Sequence, residues 1–119
     1  MASYYGKSFD DTHRDLRIKL PVEFPVRLET TSIKRVTKLS DADNGDQSYG
    51  LTVIDEDKAG NPINAIIYIA RNLPKELAEY ILVHEWAHII QTGAKYKEHG
   101  DYSFGIAYAK CWRVYIGED

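Results

Sequence analysis

The sequence predicts an α+β fold, with a small antiparallel sheet packed on a long central helix that is followed by a second helix. Three observations carry this. First, Tyr49 to Ile54 alternates, with Tyr49, Leu51 and Val53 on one side. Ile63 to Ala70 is a near-continuous apolar run rich in β-branched residues, and Gly60-Asn61-Pro62 punctuates the interval. The two runs read as antiparallel strands joined by a hairpin loop, the second buried on both faces. Second, the stretch from Asn72 to Gln91 opens on helix-start residues, and Leu82 to Ile90 is apolar nearly all round, as in a buried central helix. Third, Tyr102 to Ile116 carries Phe104, Tyr108, Cys111/Trp112 and Tyr115 as an apolar stripe at helical spacing.

Taken in order, residues 1–20 are polar and weakly patterned. Tyr4-Tyr5-Gly6 reads as a frayed end or a strand, and Ser8 to Arg17 as a short helix. Pro21 and Pro25 break the chain before Val26-Arg27-Leu28-Glu29, whose alternation fits a first strand. The basic cluster of Lys34, Arg35 and Lys38 reads as a solvated strand or loop. Ser40 to Gln47 reads as a loop. Its Asp41-x-Asp43-x-Gly45 spacing resembles a calcium loop only faintly, because the glycine is misplaced and Thr52 stands where the twelfth-position Glu belongs; an ordinary turn is expected. Asn72 is expected to cap the long helix, with Pro74 in its first turn, where a missing N–H costs nothing. Gly93 is expected to supply a left-handed stop. A polar link, Ala94 to Gly100, leads to the last helix, capped by Asp101 or Ser103.

The chain has 119 residues, the length of one domain able to bury a core without staples. A net charge of −3 gives no overall pull toward nucleic acid or acidic membrane. Cys111 is the one cysteine, which excludes an intrachain disulfide and a cysteine-based zinc site. Met1 to Asp15 has no apolar run of signal length, and no stretch approaches a membrane span. These features predict a reducing cytoplasm.

The chemistry lies in His84-Glu85-Trp86-Ala87-His88. Residues four apart stand one turn above each other on a helix, so both imidazoles can reach one metal ion. Glu85 points roughly a hundred degrees around the axis, where it can act as general base without taking a ligand position. Zinc would activate a water and polarise a carbonyl, and Glu85 would pass the proton on to the leaving amine. Leu77, Ile81, His84 and His88 share one face, expected to pack inward; a buried Glu and two buried His would be costly without a partner, and a metal supplies one. The alternative is a pair of satisfied core histidines. A catalytic zinc needs a third protein ligand. His99, eleven residues after His88, is the leading candidate; Asp101 competes, with Glu98 behind it. His13, the fourth histidine, is expected at the surface. Trp86 reads as packing. Among Tyr102, Tyr108, Trp112 and Arg113, a tyrosine is the best candidate to donate a hydrogen bond to an oxyanion.

Three separated pieces, Leu82-Val83-His84-Glu85-Trp86-Ala87-His88, then His99-Gly100, then Phe104 to Arg113, resemble SprT-like zinc metallopeptidases, and most of all the short versions of bacteriophages and prophages. The resemblance covers roughly residues 48–116. It implies a zincin-type core, Zn2+ as cofactor, His84 and His88 as ligands, Glu85 as general base and His99 as third ligand. Three residues separate Gly100 from Phe104, where the family usually has two, so the loop bulges or Asp101 contributes. Neither a cysteine-rich ribbon nor a basic tail is present, so the DNA-linked role of larger members is not carried over.

The leading expectation is thus a zinc peptidase acting on a polypeptide substrate. Alternatives are a metal-stabilised interaction module without catalysis, and an amidase acting on a non-protein substrate or cell-wall peptide. An exposed sheet edge near the metal would hold an extended peptide by backbone hydrogen bonds.

Overall fold

The apolar run ahead of the motif becomes the central strand of a three-stranded sheet. The computed structural model describes residues 3–40, 47–93 and 101–117, with backbone alone at 92–93 and 101–103. The elements are α1 (Lys7–Lys19), β1 (Val26–Thr31), α2 (Ile33–Leu39), β2 (Gly50–Glu56), β3 (Pro62–Ala70), α3 (Lys75–Gly93) and α4 (Asp101–Ile116). The sheet order is β1-β3-β2. β3 is buried from Ala65 onward apart from a partly exposed Ile66, as its continuous hydrophobicity requires.

The sheet is mixed, not antiparallel. β2 pairs antiparallel with β3, with Thr52 opposite Ile67, but β1 runs parallel to β3, with Leu28 opposite Ile67. The cause is topological. α2 carries the chain across the end of the sheet, so β2 starts at that end and runs back, and the hairpin reverses direction again. Two reversals leave β1 and β3 pointing the same way.

α2 also corrects the expectation of a strand or loop at the basic cluster. Ser32 caps it, its hydroxyl accepting from the Arg35 amide at 3.1 Å. Val36 is buried against Tyr68 and Ala70, while Lys34, Arg35 and Lys38 stay exposed. The cluster is the solvated face of a helix. The aspartates of the faint calcium-loop pattern lie outside the described residues.

Residues 3–20 are better structured than their polarity suggests. α1 buries Phe9, Thr12 and Leu16 on one face. The Tyr5 hydroxyl donates to the Ala70 carbonyl and accepts from the Leu73 amide at 3.2 Å, bridging the end of β3 and the approach to α3. Asn72 does not cap α3. It takes a left-handed backbone (φ 65°), a conformation asparagine tolerates, and its side chain accepts from the Tyr4 hydroxyl at 2.8 Å. The Pro74 carbonyl instead receives the helix's first bond, from Ala78. Gly93 is the last residue of α3 itself.

The core lies between the sheet and α3. Ala65, Ile67 and Ile69 of β3 meet Ala78, Leu82, Val83, Trp86 and Ile89 of α3, closed by Phe9 and Leu16 of α1 and by Ala107 and Cys111 of α4. α4 packs antiparallel to α3: the ring contacts run His88 to Phe104, His84 to Tyr108 and Tyr80 to Trp112, rising along one helix as they fall along the other. Among the described residues no helix is long and apolar enough to cross a membrane.

Candidate active site

α3 turns one side to the sheet and α1, and another to α4. The remaining face, with Leu77, Ile81, His84 and His88, is the floor of an open groove. This corrects the expectation of an inward-packing face: Leu77 and His84 are exposed and His88 is half-buried. One step around the axis, Glu85 is 7 % exposed and turns toward β2. His84, Glu85 and His88 line a cleft of about 390 Å³, with Gly50, Leu51, Thr52 and Ile54 of β2 on its other wall.

β2 shapes the carboxylate. The Thr52 hydroxyl donates to Glu85 Oε1 at 2.7 Å. A Cβ at Gly50 would stand 2.4 Å from Ile81 Cγ2 and 3.3 Å from Glu85 Oε2, so only glycine lets the strand come this close. Neither contact was anticipated. Threonine in a strand carries no positional signal, but a glycine opening an alternating strand is a signal of close backbone approach.

The two imidazoles stand with ring centroids 5.0 Å apart at 77°. Burial, with the neighbouring His84, pushes the His88 ring below the usual histidine range against the opposing pull of Glu85, which favours the neutral, ligating form. A hydrogen bond with Gln91 orients the same ring. Phe104 packs on both rings, 4.5 Å from His88 and 5.2 Å from His84. Two imidazoles one helical turn apart offer nitrogen donors of the kind zinc takes. Among the described residues no group of three His, Cys, Asp or Glu is close enough to hold a metal. The expected third ligand, His99, and its competitor Glu98 lie outside the described residues, as does the side chain of Asp101, whose backbone begins α4. The structure thus brings together His84, Glu85 and His88.

No family model, curated protein or solved structure matches this chain. The site is read from its own geometry. Tyr108 is half-buried and its ring stands 5.7 Å from that of His84. Arg113 is exposed, and Tyr102 has no described side chain. Trp86 is packing, as expected: it is 1 % exposed, and its indole donates to the Leu20 carbonyl at 3.1 Å. His13 is partly buried rather than fully exposed. Its ring lies 6.0 Å from that of Trp86, its Nε2 is buried without a hydrogen-bond partner among the described residues, and burial lowers its pKa, with Arg17 adding to the effect and Asp10 opposing it.

Proposed function

We propose that this protein is a zinc-dependent metallopeptidase of the SprT-like, zincin-type class, hydrolysing peptide bonds with Glu85 as general base and His84, His88 and His99 as ligands. One observation carries the reading: Glu85 is buried yet borders the cleft it shares with both imidazoles, its carboxylate fixed by Thr52. A structural metal pair would gain nothing from a desolvated carboxylate placed there.

Bound zinc would supply Lewis-acid activation of water and of the scissile carbonyl. The chain's own groups do the rest. Glu85 takes a proton from water and returns it to the leaving amine nitrogen. The Thr52 hydroxyl holds Oε1, which leaves Oε2 for that exchange. Tyr108, in ring contact with His84, is the candidate donor to the developing oxyanion. Among the described residues β2 is an edge strand, so its outer backbone groups beside the cleft suit an extended polypeptide. A cytoplasmic setting fits the unpaired, buried Cys111.

The test is turnover of an unfolded polypeptide by the zinc-loaded protein. Glu85→Gln should abolish turnover while retaining stoichiometric metal; undiminished turnover would remove Glu85 as base. Metal analysis of His88→Ala and His99→Ala should show loss of zinc in both, and retention in both would defeat the ligand assignment.

A further inference from the structure

The groove over α3 does not end at the histidines. Toward the start of α3 its floor continues one turn on from His84 to Tyr80, which is 36 % exposed. Its α4 wall continues from Tyr108 to Trp112. The rings form an unbroken row: His84 to Tyr108 at 5.7 Å, Tyr108 to Trp112 at 6.0 Å, and Trp112 to Tyr80 at 5.3 Å. From behind, the Tyr115 ring stands 5.4 Å from Trp112 and 5.8 Å from Tyr80, and its hydroxyl is anchored on the buried Glu79 carboxylate at 2.8 Å. The row is thus rigidly backed, half-open to solvent and in contact with the cleft through His84.

We propose that Tyr80, Tyr108 and Trp112 form a subsite that takes an aromatic side chain of a polypeptide lying in the cleft. The inference rests on the peptidase reading and adds to it a sequence preference. Three considerations point to this occupant. The cleft that the row meets at His84 has β2 as its other wall, an edge strand among the described residues, whose amides and carbonyls match a peptide and not a glycan. Residues of an extended peptide that face the same way are roughly 6.6 Å apart, close to the step from His84 to Tyr108 and from Tyr108 to Trp112. The preferred side chain therefore lies two to four residues from the scissile bond. Finally, offset and edge-on ring packing favours a flat apolar group over an aliphatic or charged one.

Trp112 reports directly on occupancy, since the other tryptophan, Trp86, is fully buried. Zinc-loaded Glu85→Gln protein is titrated with capped alanine-serine hexapeptides carrying one Phe at each position in turn, and acrylamide quenching of tryptophan is followed. Peptides with Phe at one or two adjacent positions should bind on the order of tenfold more tightly than the Phe-free peptide and shield Trp112 from quencher. Trp112→Leu, folded by circular dichroism, should reduce that preference to about twofold or less, and in the Glu85-containing protein should raise KM more than it lowers kcat. Equal affinity with and without Phe, no binding of any peptide at millimolar concentration, or shielding by a chitin oligosaccharide but not by peptide would each overturn the subsite. Phe-dependent binding without turnover in the protein retaining Glu85 would instead count against the peptidase reading alone, and turnover indifferent to Phe against the subsite alone.

Discussion

Thr52 and Glu85 meet across the join between an edge strand and the helix that carries both histidines, hydroxyl to carboxylate at 2.7 Å. The bond satisfies a carboxylate that is nearly removed from water, and it ties Glu85 to the β2 wall of the cleft. Thr52→Val keeps the shape and removes the donor. Stability should fall by about 1–3 kcal/mol, the cost of leaving a buried acceptor unmet, while Thr52→Ser should recover most of it. Urea unfolding of the three proteins measures this, and equal midpoints would show that the bond contributes nothing.

Gly50 sets how closely β2 approaches α3. Gly50→Ala places a methyl group 2.4 Å from Ile81 Cγ2, and overpacking of this kind costs about 1–3 kcal/mol. Ile81→Ala removes the obstructing atom. The double variant should therefore be more stable than the sum of the single effects predicts, and a double-mutant cycle with strict additivity would refute the contact.

His13 makes stability depend on pH. Its folded pKa lies below the value near 6.5 of an unfolded histidine. Between the two values the unfolded chain binds more protons than the folded one, so stability rises with pH through that window and levels off above it. His88 is depressed too and adds to the rise in metal-free protein. His13→Gln should flatten the dependence in part, leaving the contribution of His88. Denaturant midpoints of metal-free protein between about pH 5 and 8 give the comparison, and a midpoint profile unchanged by the substitution would exclude the role.

Cys111 is fully buried, and desolvation pushes its thiol up to about 12. The thiolate is thus scarce and shielded. Labelling by a disulfide reagent should run on the order of a thousandfold slower than for a free thiol and accelerate only on unfolding. Prompt labelling of native protein would contradict the burial.

Zinc should stabilise the fold if the histidines hold it. At about a hundredfold excess over Kd the gain is ~2.7 kcal/mol, or roughly 10 °C in Tm for a domain of this size. His88→Ala should erase that rise and Glu85→Gln should retain it, as calorimetry with and without a chelator would reveal.

The long helix α3 and the hairpin ahead of it were legible because both signals are local. A buried strand declares itself by a β-branched run, and His84, Glu85 and His88 by their spacing on a helix. α2 was concealed because Lys34, Arg35 and Lys38 dominate seven residues of which Val36 alone is fully buried, although the cap at Ser32 was there to read. The parallel pairing of β1 depends on where α2 delivers the chain, which no local pattern encodes. The exposure of His84 escaped for a related reason. Periodicity shows which residues share a face, but not whether another element covers it. The Thr52–Glu85 bond joins residues thirty-three apart whose meeting depends on sheet and helix packing together.

The phenol of Tyr5, wedged between the last residue of β3 and the approach to α3, gives the motif a dependence that its five letters conceal. The inclination of the histidine-bearing helix is set where the amino-terminal segment meets the sheet, and the indole within the motif is pinned to the chain just past α1. The pentapeptide is consequently not portable. Grafted onto a foreign helix, it would keep its imidazole spacing and lose both the tilt and the threonine that give the carboxylate its direction.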